Sequence, residues 1–391
     1  MTHPNSIEVA FWIWLALLFY TFIGYPTFIF LLSRVFPQRF ATRPDLHLPT
    51  VTVVLAAHNE EARIAARLQN LLSSNYPKER LNIIVVSDGS MDGTQKRILE
   101  ISDARIHLVE QKQRSGKAQC LNLALVAASG EIVVFADTRQ RFAQETILEL
   151  VKPFTDSRVG AVSGALIIES ASSSVGSGVD AYWRLEKFIR ESESKFDSAI
   201  GCTGAVYAIR RKLFQPLPPD TLLDDVVIPM QIALDGHRVV FEPKAVAFDP
   251  QSLEPEREVV RKRRTLAGNF QMLFRYLGWL LPWRNRLWWQ LISHKYLRLA
   301  GPFFLLLLLL TNAALLSIPF YRLMFFGQIF FYVLALIGMV FSQPKIFLFS
   351  IPAGFVFLNL TALRGLWYYF QMPSQPGWQT TPPTDKTPSH V

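Results

Sequence analysis

The chain has 391 residues, of which 50% are hydrophobic and 13% aromatic, more than one soluble domain of this size needs for its core. Its formal charge of +9 lies largely beside apolar spans, and the sequence has no zinc-finger spacing, RNP-like segment or long basic tail, so it is read as making no nucleic-acid contact. Cys120 and Cys202 alone give neither a disulfide framework nor a metal cluster, which fits a reduced, cytoplasmic middle region.

In chain order, residues 9–35 are almost wholly apolar, and a bilayer takes about 20 such residues to cross. No Lys or Arg precedes Val9, and the run exceeds a signal-peptide core, so it reads as a transmembrane anchor. Arg34, Arg39 and Arg43 assign its C-terminal end to the cytoplasm. Pro37 to Pro49 is a proline-punctuated linker.

Residues 50–250 carry a different pattern. Val51–Ala57, Ile83–Val86, Ile106–Val109 and Glu131–Ala136 read as strands. Helices alternate with them: one to about Leu72, Asp92 to Ile101, and Ala118 to Ala128. Strict alternation predicts an α/β fold with a parallel, doubly wound sheet. Beyond it, Val159–Ile168 is extended, Ser170–Gly178 a Ser/Gly-rich loop and Val179–Lys195 a helix. Ile200–Ile209 is extended, Asp224–Leu234 a helix, and Arg238–Phe241 and Ala245–Phe248 two short strands.

Residues 256–294 read as interfacial helices, with tryptophans and arginines mixed over Gly278–Trp289 as at a membrane–water boundary. Three transmembrane helices fill residues 297–370, at Leu297–Pro319, Leu323–Phe341 and Ile346–Phe370, with Lys345 in a cytoplasmic turn. That predicts a multi-pass protein of the cell inner membrane, with its α/β domain cytoplasmic and both termini outside. Residues 373–391 are Pro/Thr/Ser-rich and read as a disordered tail.

Acidic residues follow the strands: Glu60 and Glu61, Asp88 and Asp137, with Asp224 and Asp225 before a later helix. In an open α/β sheet, ligands bind beyond the carboxyl ends of the strands. Converging carboxylates repel unless a cation or hydrogen-bonding ligand joins them. A nucleotide supplies both: base and ribose donors for Asp88 and Glu60, and a diphosphate that brings Mg2+ or Mn2+ to Asp137. Lys117, in a glycine loop, could neutralise phosphate. Glu61, Asp92 and Asp224 are read as helix caps or solvated turns.

These residues resemble a family. Ala57-His58-Asn59-Glu60-Glu61, Ser87-Asp88-Gly89-Ser90-Met91-Asp92-Gly93-Thr94, Gly116-Lys117-Ala118-Gln119-Cys120-Leu121-Asn122, Asp137, the stretch Gly201–Arg210 and Leu223-Asp224-Asp225 are similar to membrane-bound family 2 glycosyltransferases. Those include the synthases of cellulose, hyaluronan and poly-N-acetylglucosamine. The resemblance implies a GT-A-type, Rossmann-like domain with a mixed, mainly parallel sheet, plus transmembrane α-helices. It also implies a nucleotide-sugar donor, most often a UDP-sugar, a divalent metal, and inverting transfer to a glycan or lipid-linked acceptor for cell-surface polysaccharide or glycolipid. By the same resemblance, Glu60 and Asp88 hold the uridine, Lys117 approaches the nucleotide, Asp137 binds the metal and Asp225 is the general base.

Two positions depart from the family pattern. Arg139 replaces the second Asp of Asp-X-Asp, so either Asp137 and phosphates hold the metal or Arg139 shares the charge neutralisation. Arg261-Lys262-Arg263-Arg264-Thr265 keeps Arg264 of Gln-X-X-Arg-Trp, suited to the diphosphate, but lacks the Gln and Trp. Processive synthesis and single addition therefore both remain open, as do a homo-oligomer and export partners. A sugar nucleotidyltransferase would need a glycine-rich loop after its first strand, where this chain has Ala57-His58-Asn59-Glu60. A catalytically impaired membrane scaffold is the other alternative, and joint retention of Asp88, Asp137 and Asp225 argues against it.

Overall fold

The computed structural model describes residues 5–38, 48–169, 174–250, 255–341 and 346–371. Arg39, Arg43, Lys345 and the tail 373–391 lie outside the described residues. The chain divides into a helical unit and a sheet unit.

The chain opens with α1 (Ser6–Phe19) and α2 (Tyr25–Val35), joined without a break by a π turn at Tyr20–Gly24. This continuous helix contains the expected anchor.

The sheet unit follows. In chain order it has β1 (Val51–Ala57), α3 (Glu61–Leu72), β2 (Leu81–Asp88), α4 (Thr94–Leu99), β3 (Ile106–Gln111), α5 (Lys117–Ala127) and β4 (Ile132–Ala136). β5 (Arg141–Phe142), α6 (Thr146–Val151) and β6 (Val159–Glu169) come next. The chain passes through α7 (Ser174–Phe196) of the helical unit and returns as β7 (Val206–Arg210), α8 (Asp224–Leu234) and β8 (Arg238–Pro250). The strand order is β3-β2-β1-β4-β7-β6-β8-β5. β1 pairs in parallel with β2 and β4, and β2 with β3, as the alternation predicts. β7 then inserts antiparallel between β4 and β6, so the sheet is mixed. Every residue of β1 and β4 is buried, which is why both read as unbroken apolar runs. Ile64, Leu68 and Leu71 of α3 pack with Val53, Leu55, Val85 and Val134 in the core.

Two expectations shift. Ser170–Gly178 was expected as a loop, but the helix already begins at Ser174, so Ser and Gly here start a helix that tertiary packing extends. The two short strands at 238–248 are one strand, and its pairing with β6 absorbs the interruption as register shifts.

The rest of the helical unit comprises α9 (Pro255–Arg275), a 3-10 turn at Leu277–Leu280, α10 (Trp288–Leu291), a π turn at Ile292–Tyr296, α11 (Leu297–Ala314), α12 (Pro319–Val340) and α13 (Phe347–Gln371). Between the 3-10 turn and α10, residues 281–287 make turns instead of continuing the expected interfacial helix, and Pro282 there lacks the N–H that a continuing helix requires. Among the described residues, four helices are long and apolar enough to cross a membrane: Ser6–Val35, Trp288–Ala314, Pro319–Val340 and Phe347–Gln371.

Candidate active site

The carboxyl ends of β1, β2 and β4 share one edge of the sheet. β7 runs the other way, with Ala136 opposite Val206, so the Gly201–Ala205 loop reaches that edge too. Three fixed turns build the edge.

At the first, His58 Nδ1 donates to the Asp88 carbonyl at 2.6 Å, tying the ends of β1 and β2 together. Asn59 takes a positive φ of 53° and accepts the Met91 N–H at 2.9 Å. Glu60 follows. Burial pushes its carboxyl up from the ordinary value, opposed by the Thr138 hydroxyl and Arg63.

The second turn changes the reading of Asp88. Its side chain is fully buried, and it accepts from Ser115 N–H at 2.6 Å, Ser115 Oγ at 3.0 Å and Gly116 N–H at 2.9 Å. Both carboxylate oxygens are thereby engaged. Asp88 pins the loop that leads into Lys117. Gly89 permits this: it has φ +60°, and a Cβ there would lie 2.7 Å from the Arg114 nitrogen. Burial, then Asp88 beside it, pushes the Cys120 thiol up to about 12, so that cysteine stays protonated.

The third turn assembles the charges. Lys117 Nζ donates to Asp137 Oδ1 at 3.2 Å and meets Asp224 Oδ2 at 3.4 Å. Burial alone would lower the ammonium, yet Asp137, Asp224 and Asp225 raise it. The Tyr207 hydroxyl donates to Asp224 Oδ2 at 3.3 Å. Its ring is buried and stacks on Phe135 at 4.4 Å between centroids. Asp225 starts α8 beside Asp224. Its carbonyl accepts Cys202 N–H at 2.7 Å, and a Cβ on Gly204 would lie 2.8 Å from its Oδ2. Glycine at 204 therefore leaves the room that the carboxylate occupies.

Lys117, Asp137 and Asp225 thus meet as expected. Asp224 is not a solvated cap but a buried partner of Lys117. Arg67, Tyr207 and Asp249 were also missed. Arg67 is buried, donates from Nε to the Asp137 carbonyl at 3.0 Å and stacks 4.2 Å over Phe142. Its place on the apolar face of α3, three residues after Ile64, was the available signal. Arg139 turns its guanidinium to Asp249 of β8, which also accepts from Gln140 Nε2 at 3.3 Å. Arg264 lies half-buried on α9 in the helical unit.

Among the described residues, no group of three or more His, Cys, Asp or Glu is placed to hold a metal ion. Asp137 alone fits a hard divalent cation whose other ligands are phosphate oxygens and water, the usual manner for Mg2+.

Residues 52–217 match the model of glycosyl transferase family 2. The poly-beta-1,6-N-acetyl-D-glucosamine synthase of Staphylococcus aureus is 26% identical over 215 residues, 53% of this chain and 52% of that protein. The match thus spans about half the length of that relative. The probable glycosyltransferase YdaM of Bacillus subtilis is 26% identical over 289 residues, 68% of this chain and 66% of its own. Among solved structures, the mannosyltransferase PcManGT of Pyrobaculum calidifontis, in complex with GDP-Man and Mn2+, superposes with a TM-score of 0.69 at 26% identity. That likeness covers 92% of this chain and 99% of the mannosyltransferase. The sheet unit has the GT-A fold, and residues 52–217 within it are similar to glycosyl transferase family 2.

Proposed function

We propose that the chain is an inverting glycosyltransferase that moves a sugar from a nucleotide-sugar to a glycan or lipid-linked acceptor at the cytoplasmic face of the cell inner membrane, in the synthesis of a cell-surface polysaccharide or glycolipid. The observation that carries this reading is the convergence of Asp137, Asp224 and Asp225 on Lys117 at the ligand edge of the sheet. The polysaccharide synthase among the relatives and the four apolar helices support the acceptor class and the membrane setting.

In this reading Asp225 accepts the proton of the acceptor hydroxyl as its oxygen attacks the anomeric carbon. The acceptor oxygen–carbon bond forms while the carbon–diphosphate bond breaks on the opposite face. Lys117 offsets charge on the departing diphosphate. Glu60 accepts from a hydroxyl or N–H of the nucleoside. Asp137 would hold Mg2+ or Mn2+, which would supply Lewis-acid stabilisation of the leaving group.

The related mannosyltransferase was captured with GDP-Man, so donors with either base belong in the test. Purified full-length protein in detergent, given Mn2+ and a panel of UDP- and GDP-sugars, should release nucleoside diphosphate from at least one. Turnover with none of them, across lipid-phosphate and oligosaccharide acceptors, would sink the reading.

A further inference from the structure

Asp137 and Asp224 share one ammonium, but they are not alike. The Asp224 side chain is 7% exposed and the Asp137 side chain 35%. Asp224 is fixed from behind: its Oδ2 takes both Lys117 and the hydroxyl of Tyr207, a buried ring that its stack on Phe135 holds still. Asp137 is the partner that faces an incoming ligand. It is also the acid proposed to hold the divalent cation, and its Oδ1 is engaged by Lys117. A divalent cation and an ammonium crowded onto one carboxylate repel each other. Either cation is relieved of that conflict once phosphate oxygens arrive to share.

We infer, resting on the transferase reading, that Lys117 is the counter-ion of Asp137 until a nucleoside diphosphate arrives, and that Asp224 is the positioning residue that retains the ammonium when Asp137 passes to the metal. The metal site is then assembled by the nucleotide. Before it binds, Lys117 blocks the metal. Afterwards Lys117 pairs with phosphate on one side and Asp224 on the other. No bond is made or broken in this exchange.

Mn2+ is the probe. Free Mn2+ is read by its electron paramagnetic resonance signal in titrations of the full-length protein, with and without UDP or GDP. Wild type should bind Mn2+ weakly alone and about tenfold or more tightly with the nucleotide, within the range typical of coupled sites. Lys117→Met should bind Mn2+ without nucleotide several-fold more tightly than wild type, and the nucleotide should add less than it does in wild type, because only the phosphate ligands and not the release of Asp137 then contribute. Asp224→Asn leaves Lys117 to Asp137 alone and should shrink the nucleotide effect, with Asp224→Glu restoring part of it. Tyr207→Phe should give a weaker version of the Asp224→Asn result.

Wild-type Mn2+ affinity that is the same with and without nucleotide overturns the exchange, and needs no variant to fold. A full nucleotide effect in Lys117→Met also overturns it, while leaving the transferase reading intact. Failure of wild type to bind any nucleoside diphosphate, measured by calorimetry, removes that reading and the exchange with it.

Discussion

Lys117 in the sheet unit and His294 in the helical unit each make close contact with two carboxylates, and their surroundings assign them opposite roles. His294 is fully buried in the π turn after α10. Its Nδ1 meets Glu193 and its Nε2 meets Glu186, each at 2.9 Å. Lys295 and Arg298 also reach Glu186 at 2.9 Å. Glu193 accepts the Tyr25 hydroxyl at 2.6 Å and the Ile200 N–H at 3.2 Å. Burial alone would raise the Glu186 carboxyl, yet His294, Lys295 and Arg190 hold it well below the usual carboxylate range. Lys117 has no such redundancy, and one of its acids is a third exposed. A caged charge with several buried partners is a fastener. A caged charge with one exposed partner is poised to exchange.

The largest expected effect breaks the fastener. His294→Phe leaves Glu186 and Glu193 against an apolar ring, and breaking a buried pair costs about 3–5 kcal/mol. Thermal unfolding in detergent, followed by tryptophan fluorescence, should move down by many degrees; an unchanged midpoint would show that the cage is not structural. Lys117→Met should shift that midpoint less, while nucleoside diphosphate affinity drops by roughly 1.5–3 kcal/mol, the worth of a hydrogen bond to a charged group. The reverse ordering of these two variants would dissolve the distinction.

Glu60, half-buried after β1, gives a pH test. Its carboxyl is raised, so the charged form appears at higher pH than for an ordinary glutamate. If that charged form accepts from the nucleoside, binding is complete above the raised value and weakens as pH falls through it. Glu60→Gln should flatten this acid limb of the affinity profile; a limb that persists would assign it elsewhere. The smallest effect on turnover belongs to Arg139→Ala. With the guanidinium turned to buried Asp249, its removal should cost roughly 1–3 kcal/mol in stability and leave any dependence on a divalent metal unchanged. A collapse of turnover would place Arg139 on the donor instead.

The sequence made the sheet's first half readable because β1, β2 and β4 are buried on both faces and carry almost nothing polar. It was less informative where tertiary contacts overrule local signals. The Ser/Gly run before Tyr182 looks like a loop yet enters a helix. Glu242-Pro243-Lys244 looks like a break, yet β8 runs through it beside β6. In the site, Asp137, Asp225 and Lys117 were legible from position alone. Asp224 was not, because Tyr207 and Lys117, which make it a buried partner, come from β7 and α5. Asp88 was placed at the ligand edge from position too, but its bonds to the Ser115–Gly116 backbone depend on a loop that no local pattern shows.

The central claim is that Asp225 performs the proton transfer while the neighbouring charges only bind and position. Turnover and nucleoside diphosphate affinity of Asp225→Asn, measured side by side with wild type, test it most directly. The account predicts unchanged affinity and turnover lowered by about 10²–10⁴-fold, the usual worth of a positioned general base. Wild-type turnover in Asp225→Asn, or a loss explained wholly by weaker nucleotide binding, would contradict it.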